Sequence, residues 1–426
     1  MNIKNFGTIF IYMSGEYIKS NSMLFLAKFK KKLDPAKVWK SLKKMILENS
    51  SLQLKFSWQD EKKTFTWQHF NEKEIKELLA IEKEHIMRPR TMDDIYREFY
   101  PTNSRLPFGI SLSDNHTLLF SIMHFIGNHH VIYSWVEKWF YYYAKEIGLS
   151  VKEYPPVFEI MSPFNKILYR CLGMFWTIVY LISARSGAKK KGGETIDMTH
   201  EKKILPLNEG GFTSYSFSKD ETQRIIGAAK SKGLSQTGII CYAFIQAFFD
   251  KFPDKNRICI NYPQDIKKYF FGTTPFSVGN ISGTIPFYIY RDEPINKQLF
   301  HLSRWIERGV PYGLMRLLSF FSFNQSILKD RISKERSVPF CQKEPLLDFT
   351  CTFSFNDVES DVMEQIASEL VFIGAKSALP LILCTRFNGS LTIVFAFSKD
   401  MVLPEESLPI GETAIKYLKE MSLEVV

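Results

Sequence analysis

The chain has 426 residues, more than one hydrophobic core usually organises, so two domains of about 200 residues each are the starting expectation. Charged residues make up 23% and hydrophobic ones 45%, a balance that excludes disorder over most of the length, and 37 Phe with 19 Tyr point to an aromatic core. A formal net charge of +10 suits nucleic acid, an anionic membrane surface or acidic ligands such as coenzyme A and phosphopantetheine, without choosing among them.

The opening, MNIKNFGTIFIYMSGEY, lacks an uninterrupted apolar run and a small-residue cleavage site, so no secretory signal is expected and cytoplasmic residence is the default. Residues 22–30 read as a strand. Asp34 and Pro35 then supply an N-cap and a first-turn proline for a helix with Val38, Leu42, Met45 and Ile46 on one face and lysines on the other. SLQLKFSW returns to strand-like alternation, and 71–100 reads as a charged helix. LPFGISLSDNHTLLFSIMHF gives two apolar strands around the turn cluster Ser113, Asp114 and Asn115, the second running straight into His124. The helix WVEKWFYYY reads as core packing and ends near Gly148, before Pro155 and Pro156 break the pattern.

Residues 166–184 are the most hydrophobic stretch, interrupted by Arg170 and marginal against the roughly 20 apolar residues that span a bilayer. Arg185 and the cluster Lys189, Lys190 and Lys191 follow. Burial against the neighbouring lobe, an interfacial helix and a span all stay open here, and the basic flanks favour a peripheral membrane contact through 166–191. The lobe boundary falls in this region, giving 1–160, a segment 161–206 and a second lobe 207–426.

The second half restarts with strand 212–218 and a capping box, Ser218 to Glu221, on a helix that Gly233 ends. A second helix, about 236–250, is apolar nearly all round and should be buried. Strands at RICINYP, 281–290, 347–356, 380–387 and 391–397 alternate with helices near 296–308, 312–328 and 411–421, a mixed α/β pattern with antiparallel character. Six cysteines (Cys171, Cys241, Cys259, Cys341, Cys351, Cys384) show no CxxC pair and mostly sit in apolar runs, so neither a disulfide framework nor a metal site is expected. Walker loop, GxGxxG and GxSxG elbow are absent. The lysines are spread rather than gathered with stacking aromatics, which argues against nucleic acid.

One constellation carries chemistry. LLFSIMHFIGNH, an apolar strand leading to His124 and then Asn128, resembles the HHxxxD motif of the condensation-domain and wax-ester-synthase acyltransferases. Met123 stands for the first His, His124 for the second, and Asn128 for the Asp. Pro263, Gln264, Asp265, Ile266 and Lys267 resemble the family's PxxLR segment, with Lys267 in place of the Arg that partners the motif Asp. Val278, Gly279 and Asn280 match its VGN segment, leading into Ser282 and a tunnel-lining strand. CTFSFND, with Ser354 and Asn356, looks like its later SN strand, and the final strand pair is joined by Asn388-Gly389, itself a hairpin signal. The DFGWG motif of the plant branch is absent.

The resemblance spans nearly the whole chain. It implies a chloramphenicol-acetyltransferase-like fold, with two lobes forming a pseudo-dimer around a central tunnel. It implies acyl transfer from a coenzyme A or carrier-protein thioester to an alcohol or amine, lipid-like in view of the aromatic content. His124 would be the general base, with Asn128 organising its loop and no bound cofactor. Acyl carrier protein is the partner this chemistry brings. Two alternatives stand beside it. A second register starts at the literal pair His129 and His130, with Tyr133, Ser134 and Trp135 where Asp and Gly belong. A histidine after an apolar strand is also often structural, so a binding or scaffold protein that kept the fold remains the competing class.

Overall fold

The computed structural model describes residues 22–59, 64–89, 105–127, 129–151, 162–191, 195–196, 210–266, 269, 282–321, 350–374, 380–398 and 404–424. In chain order, β1 (Ser22–Phe29) leads to α1 (Pro35–Glu48), the hairpin β2 (Leu54–Gln59) and β3 (Thr64–His69), and α2 (Glu72–Met87). The hairpin β4 (Phe108–Asp114) and β5 (Thr117–Met123), α3 (His129–Glu146) and α4 (Pro163–Lys191) complete the first half. The second half runs β6 (Gly210–Phe217), α5 (Lys219–Ser231), α6 (Gln236–Lys251), β7 (Arg257–Asp265), β8 (Ser282–Tyr290), α7 (Ile295–Glu307) and α8 (Val310–Phe321). It closes with β9 (Cys351–Val358), α9 (Asp361–Ile366), β10 (Ala367–Gly374), β11 (Leu381–Phe387), β12 (Ser390–Ser398) and α10 (Pro404–Leu423).

Local chemistry sets these boundaries. Asp34 caps α1 by accepting from Ala36 N, with Pro35 in the first turn, where a missing N–H costs nothing. Asn71 and Glu74 form a reciprocal capping box on α2, and Ser218 and Glu221 form another on α5. Ser218→Ala should therefore cost about 1 kcal/mol in chemical denaturation. Asn388 and Gly389 both take positive φ, 50° and 78°, which a two-residue hairpin turn needs to follow the strand twist between β11 and β12.

Two sheets organise two lobes. The first has the order β10-β1-β5-β4 and is antiparallel throughout; the second has the order β6-β12-β11-β9-β7-β8, with parallel pairs where β9 meets β11 and β7. Within the segment 207–426, β10 crosses back to pair with β1, Leu26 opposite Val371, so the last quarter of the chain completes the first sheet. The mixed α/β two-lobe class expected from the sequence is the one observed. The turn between β4 and β5 lies at Asn115 and His116, one step beyond the expected cluster, because Asp114 Oδ1 accepts from His116 N and holds Asp114 at the strand end.

The aromatic helix packs as the sequence implied. Trp139 and Phe140 on α3 are fully buried, and Trp139 stacks on Tyr143 at 5.1 Å while Phe140 stacks on Phe29 at 5.3 Å. In the second lobe α6 is buried along its length around Phe244, Phe248 and Phe249. Cys241, Cys259, Cys351 and Cys384 are buried and unbridged, and burial pushes the thiols of Cys241, Cys351 and Cys384 well above their ordinary range. These cysteines act as small hydrophobes.

A buried ion pair braces the strand that leads to the motif. Arg105 bonds Glu82 of α2 at 3.3 Å and Ser121 Oγ of β5 at 3.1 Å, with all three groups buried. Gly109 on β4 leaves the room for it, since a Cβ there would lie 2.2 Å from the Arg105 guanidinium.

Candidate functional site

The site grows from β5. All seven of its residues are buried between β1 and β4, so the strand is held on both edges and its end is fixed in space. Met123 closes it, donating its N–H to Pro107 O at 2.9 Å. The backbone then turns through a single 3₁₀ turn, His124–Ile126, to Gly127, and α3 starts at His129. His124 therefore stands at the strand-to-helix corner.

The geometry sets the tautomer of the neutral His124 ring. Its Nδ1 lies 3.1 Å from Gly127 O, and a carbonyl only accepts, so Nδ1 carries the proton and the basic lone pair of the neutral ring falls on Nε2. Burial holds the imidazole pKa below its ordinary value, outweighing the backbone contacts that raise it. The ring is thus neutral at physiological pH, the state a general base requires. Gly127 has a packing role here: a Cβ would come within 2.5 Å of Val131 Cβ and Cγ1 on α3. Gly127→Ala should push this corner off α3 and break the Nδ1 contact, costing about 1–3 kcal/mol as overpacking and disturbing the ring tautomer, read by thermal melting and by histidine nitrogen NMR.

A second set of polar groups lies on the second sheet. Cys351 and Phe353 of β9 and Ile382 and Cys384 of β11 face the core beneath their helices, so by alternation Thr352, Ser354 and Asn356 share the opposite face with Leu383, Thr385 and Phe387. Toward β12 that face is apolar and joins the core of the first lobe through Leu383, Phe387, Val394 and Ala396. Toward β7 it turns polar. Asn356 stands opposite Thr385 in register, Asn261 of β7 opposite Thr352, and Ser282 of β8 opposite Asp265. The Asn261 amide donates to Thr352 Oγ1 at 3.3 Å.

Three groups on this face are buried without a hydrogen-bond partner among the described residues: Ser354 Oγ, both amide atoms of Asn356 and Asn261 Oδ1. Each such group costs about 1–3 kcal/mol, so their gathering on one sheet face has a stability cost that packing does not explain. Asn356→Leu should for that reason leave the protein equally stable or raise its melting temperature.

The two lobes meet beside these groups. Tyr133, one turn into α3, places its hydroxyl 3.4 Å from Thr385 Oγ1, which accepts from Phe372 N of β10 at 3.2 Å. Burial pushes the Tyr133 phenol far above its ordinary range, so it is a neutral donor or acceptor. The junction ties the helix following His124, the returning strand β10 and the polar face of the second sheet. Thr385 carries no motif in the sequence, and Tyr133 enters there only as a residue of the alternative histidine register, not as a junction.

The structure places the other expected residues unevenly. Ser354 and Ser282 share the polar face, whereas Asn128, Lys267 and Asn280 lie outside the described residues. His130, the alternative histidine, falls in the first turn of α3 rather than at the strand end. Among the described residues no group of three or more His, Cys, Asp or Glu side chains gathers to hold a metal ion.

Comparison with known proteins bears on fold. No protein-family model matches the chain, and no curated protein matches it in sequence. Solved structures do match over nearly its whole length. The condensation domain of the monacolin K polyketide synthase aligns with a TM-score of 0.64 at 10% identity, covering 98% of this chain and 96% of that one. The first condensation domain of the calcium-dependent antibiotic synthetase, in complex with a substrate analogue, aligns with a TM-score of 0.62 at 12% identity, covering 98% and 96%. The X-domain from teicoplanin biosynthesis aligns at 0.56 and 10% identity, covering 98% and 94%. The chain has the condensation-domain fold.

Proposed function

We propose that this protein transfers an acyl group from a coenzyme A or carrier-protein thioester to an alcohol or amine, with His124 as general base. The observation that carries the proposal is the His124 Nδ1 to Gly127 O hydrogen bond at a buried strand end, which makes Nε2 the basic atom. In the step, the acceptor O–H or N–H gives its proton to Nε2 as its heavy atom attacks the thioester carbonyl. The tetrahedral species collapses, the C–S bond breaks, and the imidazolium returns the proton to the leaving thiolate. No covalent enzyme intermediate is needed.

Ser354, Asn356 and Asn261 are proposed to pair with the amides and carbonyls of a pantetheine-like arm, with Ser282 and Asn280 along the same path. Such pairing would satisfy the buried groups left without a partner among the described residues. Lys267 is proposed to hold Asn128, an Asn–Lys contact in place of a bidentate ion pair. The same fold occurs in a condensation domain whose structure is a complex with a substrate analogue, in keeping with a substrate site in this fold. Asn356→Leu should raise KM for the thioester severalfold while leaving the His124 step intact.

The test is release of free thiol from acyl-CoA and acyl-pantetheine donors, with and without a panel of alcohols and amines. Acceptor-dependent release is expected. Its pH profile should stay flat through neutrality and fall on the acid side with an apparent pKa below about 6.5, because protonation of a histidine whose pKa is lowered removes the base. A scaffold role is the second reading, favoured by Met123 at the first motif position and by a structure of the teicoplanin X-domain in complex with OxyB. Saturable carrier-protein binding without thiol release would decide for it.

A further inference from the structure

We infer that α4 is a membrane-docking helix that lies in the plane of an anionic bilayer surface. The helix is asymmetric. One side is pinned to the second lobe: Arg170 Nε donates to Tyr269 O at 2.6 Å, Thr177 Oγ1 donates to Val310 O at 3.2 Å, and the Tyr180 hydroxyl donates to Pro286 O. Gly173 and Gly313 let α4 and α8 cross at backbone distance, since a Cβ at Gly173 would meet Gly309 O at 2.8 Å and one at Gly313 would meet Gly173 O at 2.6 Å. The other side is apolar and bare. Phe164 is 73% exposed, Phe175 57%, Ile178 53% and Ile182 64%, at the three-to-four-residue spacing of one face. Isolated exposed hydrophobes are normal, but a continuous stripe of them on a soluble surface marks an interaction site.

Charge selects the occupant. The 29 residues of α4 include six basic residues and not one Asp or Glu; Lys166 is buried and Arg170 is tied to Tyr269, which leaves Arg185, Lys189, Lys190 and Lys191 to meet headgroups. Four of the six follow the apolar stretch directly, the pattern of a helix drawn to anionic headgroups while its apolar face enters the interface. A span is excluded by the contacts themselves. Pro163–Ala184 is long and apolar enough to cross a bilayer, but its middle, residues 170 to 180, is fastened to α8, β8 and Tyr269, and crossing would carry those elements into hydrocarbon. Only the outward stripe is available to lipid.

The docking is independent of acyl transfer and is read without turnover. Full-length protein is floated with phosphatidylcholine vesicles containing about one-third phosphatidylserine, and with phosphatidylcholine alone, alongside size-exclusion chromatography. Expected are a monomer, binding to the anionic vesicles that weakens with salt, and weak binding to the neutral ones. Phe175→Glu with Ile182→Glu should reduce the bound fraction at least about tenfold without changing the melting temperature, because both side chains are exposed. Lys189→Gln, Lys190→Gln and Lys191→Gln together should reduce binding to anionic vesicles and flatten the salt dependence. No binding to anionic vesicles, or undiminished binding by the glutamate variant, overturns the inference. A dimer that this variant dissociates, with no vesicle binding, overturns it in favour of a second copy.

Discussion

Replacing His124 by alanine is expected to lower acceptor-dependent thiol release about 10²- to 10⁴-fold, the range that a positioned general base supplies. The lost group is specific: a neutral ring whose Nδ1 is committed to Gly127 O and whose lone pair sits on Nε2. Stability should change far less, by about 1 kcal/mol, on the scale of the Nδ1 to Gly127 O hydrogen bond. A variant that melts like the parent but has lost turnover is the signature of catalysis. A variant that turns over normally removes His124 from the chemistry, and His130 in the first turn of α3 becomes the residue to substitute next.

Glu82→Ala should destabilise the first lobe by about 3–5 kcal/mol in denaturant unfolding, the range for breaking a buried ion pair. Arg105 is 3% exposed and reaches both Glu82 on α2 and Ser121 on β5, two residues before Met123. Removing the carboxylate takes the counter-charge from a buried guanidinium. The effect should extend to function, since β5 is the strand that presents His124. Thiol release should therefore fall well below the unfolding transition, and Glu82→Gln, which keeps the shape but loses the charge, should fall between. Equal stability of parent and alanine variant would mean that water reaches the pair.

Much of the fold was readable because its signals are local. The N-cap at Asp34, the capping box at Ser218 and the Asn388-Gly389 turn each depend on residues within four positions of one another, and each is where the sequence placed it. The apolar monotony of 236–250 identified a buried helix for the same reason. What stayed hidden is non-local. The segment ASELVFIG has strand composition, but nothing within it says that it pairs with β1 more than 330 residues earlier rather than with the sheet that its neighbours β9 and β11 build. The partner is chosen by which edge remains open after β1 and β5 pair.

The site divides in the same way. The position of His124 at the end of an apolar strand is legible in LLFSIMHF, and so is the strand that carries Ser354 and Asn356. Their buried, unpaired state could not be found, since it depends on alternation across β7, β9 and β11 and on what the first lobe covers. The Tyr133–Thr385 junction links positions 252 residues apart and leaves no trace in either local sequence. Segment 166–184 shows the limit most clearly: hydrophobicity alone leaves burial, interface and span open, and the glycine crossing with α8 and the bare outer face, on which the docking inference rests, exist only in three dimensions.

The most direct measurement is single-turnover transfer from a radiolabelled acyl-pantetheine thioester, followed as label in the acceptor and as free thiol. The general-base account predicts that label appears in an alcohol or amine product in step with thiol release, that release without acceptor is slow, and that both rates fall together as pH drops below about 6.5. Thioester that binds and stays intact at every pH, with every acceptor offered, would contradict it.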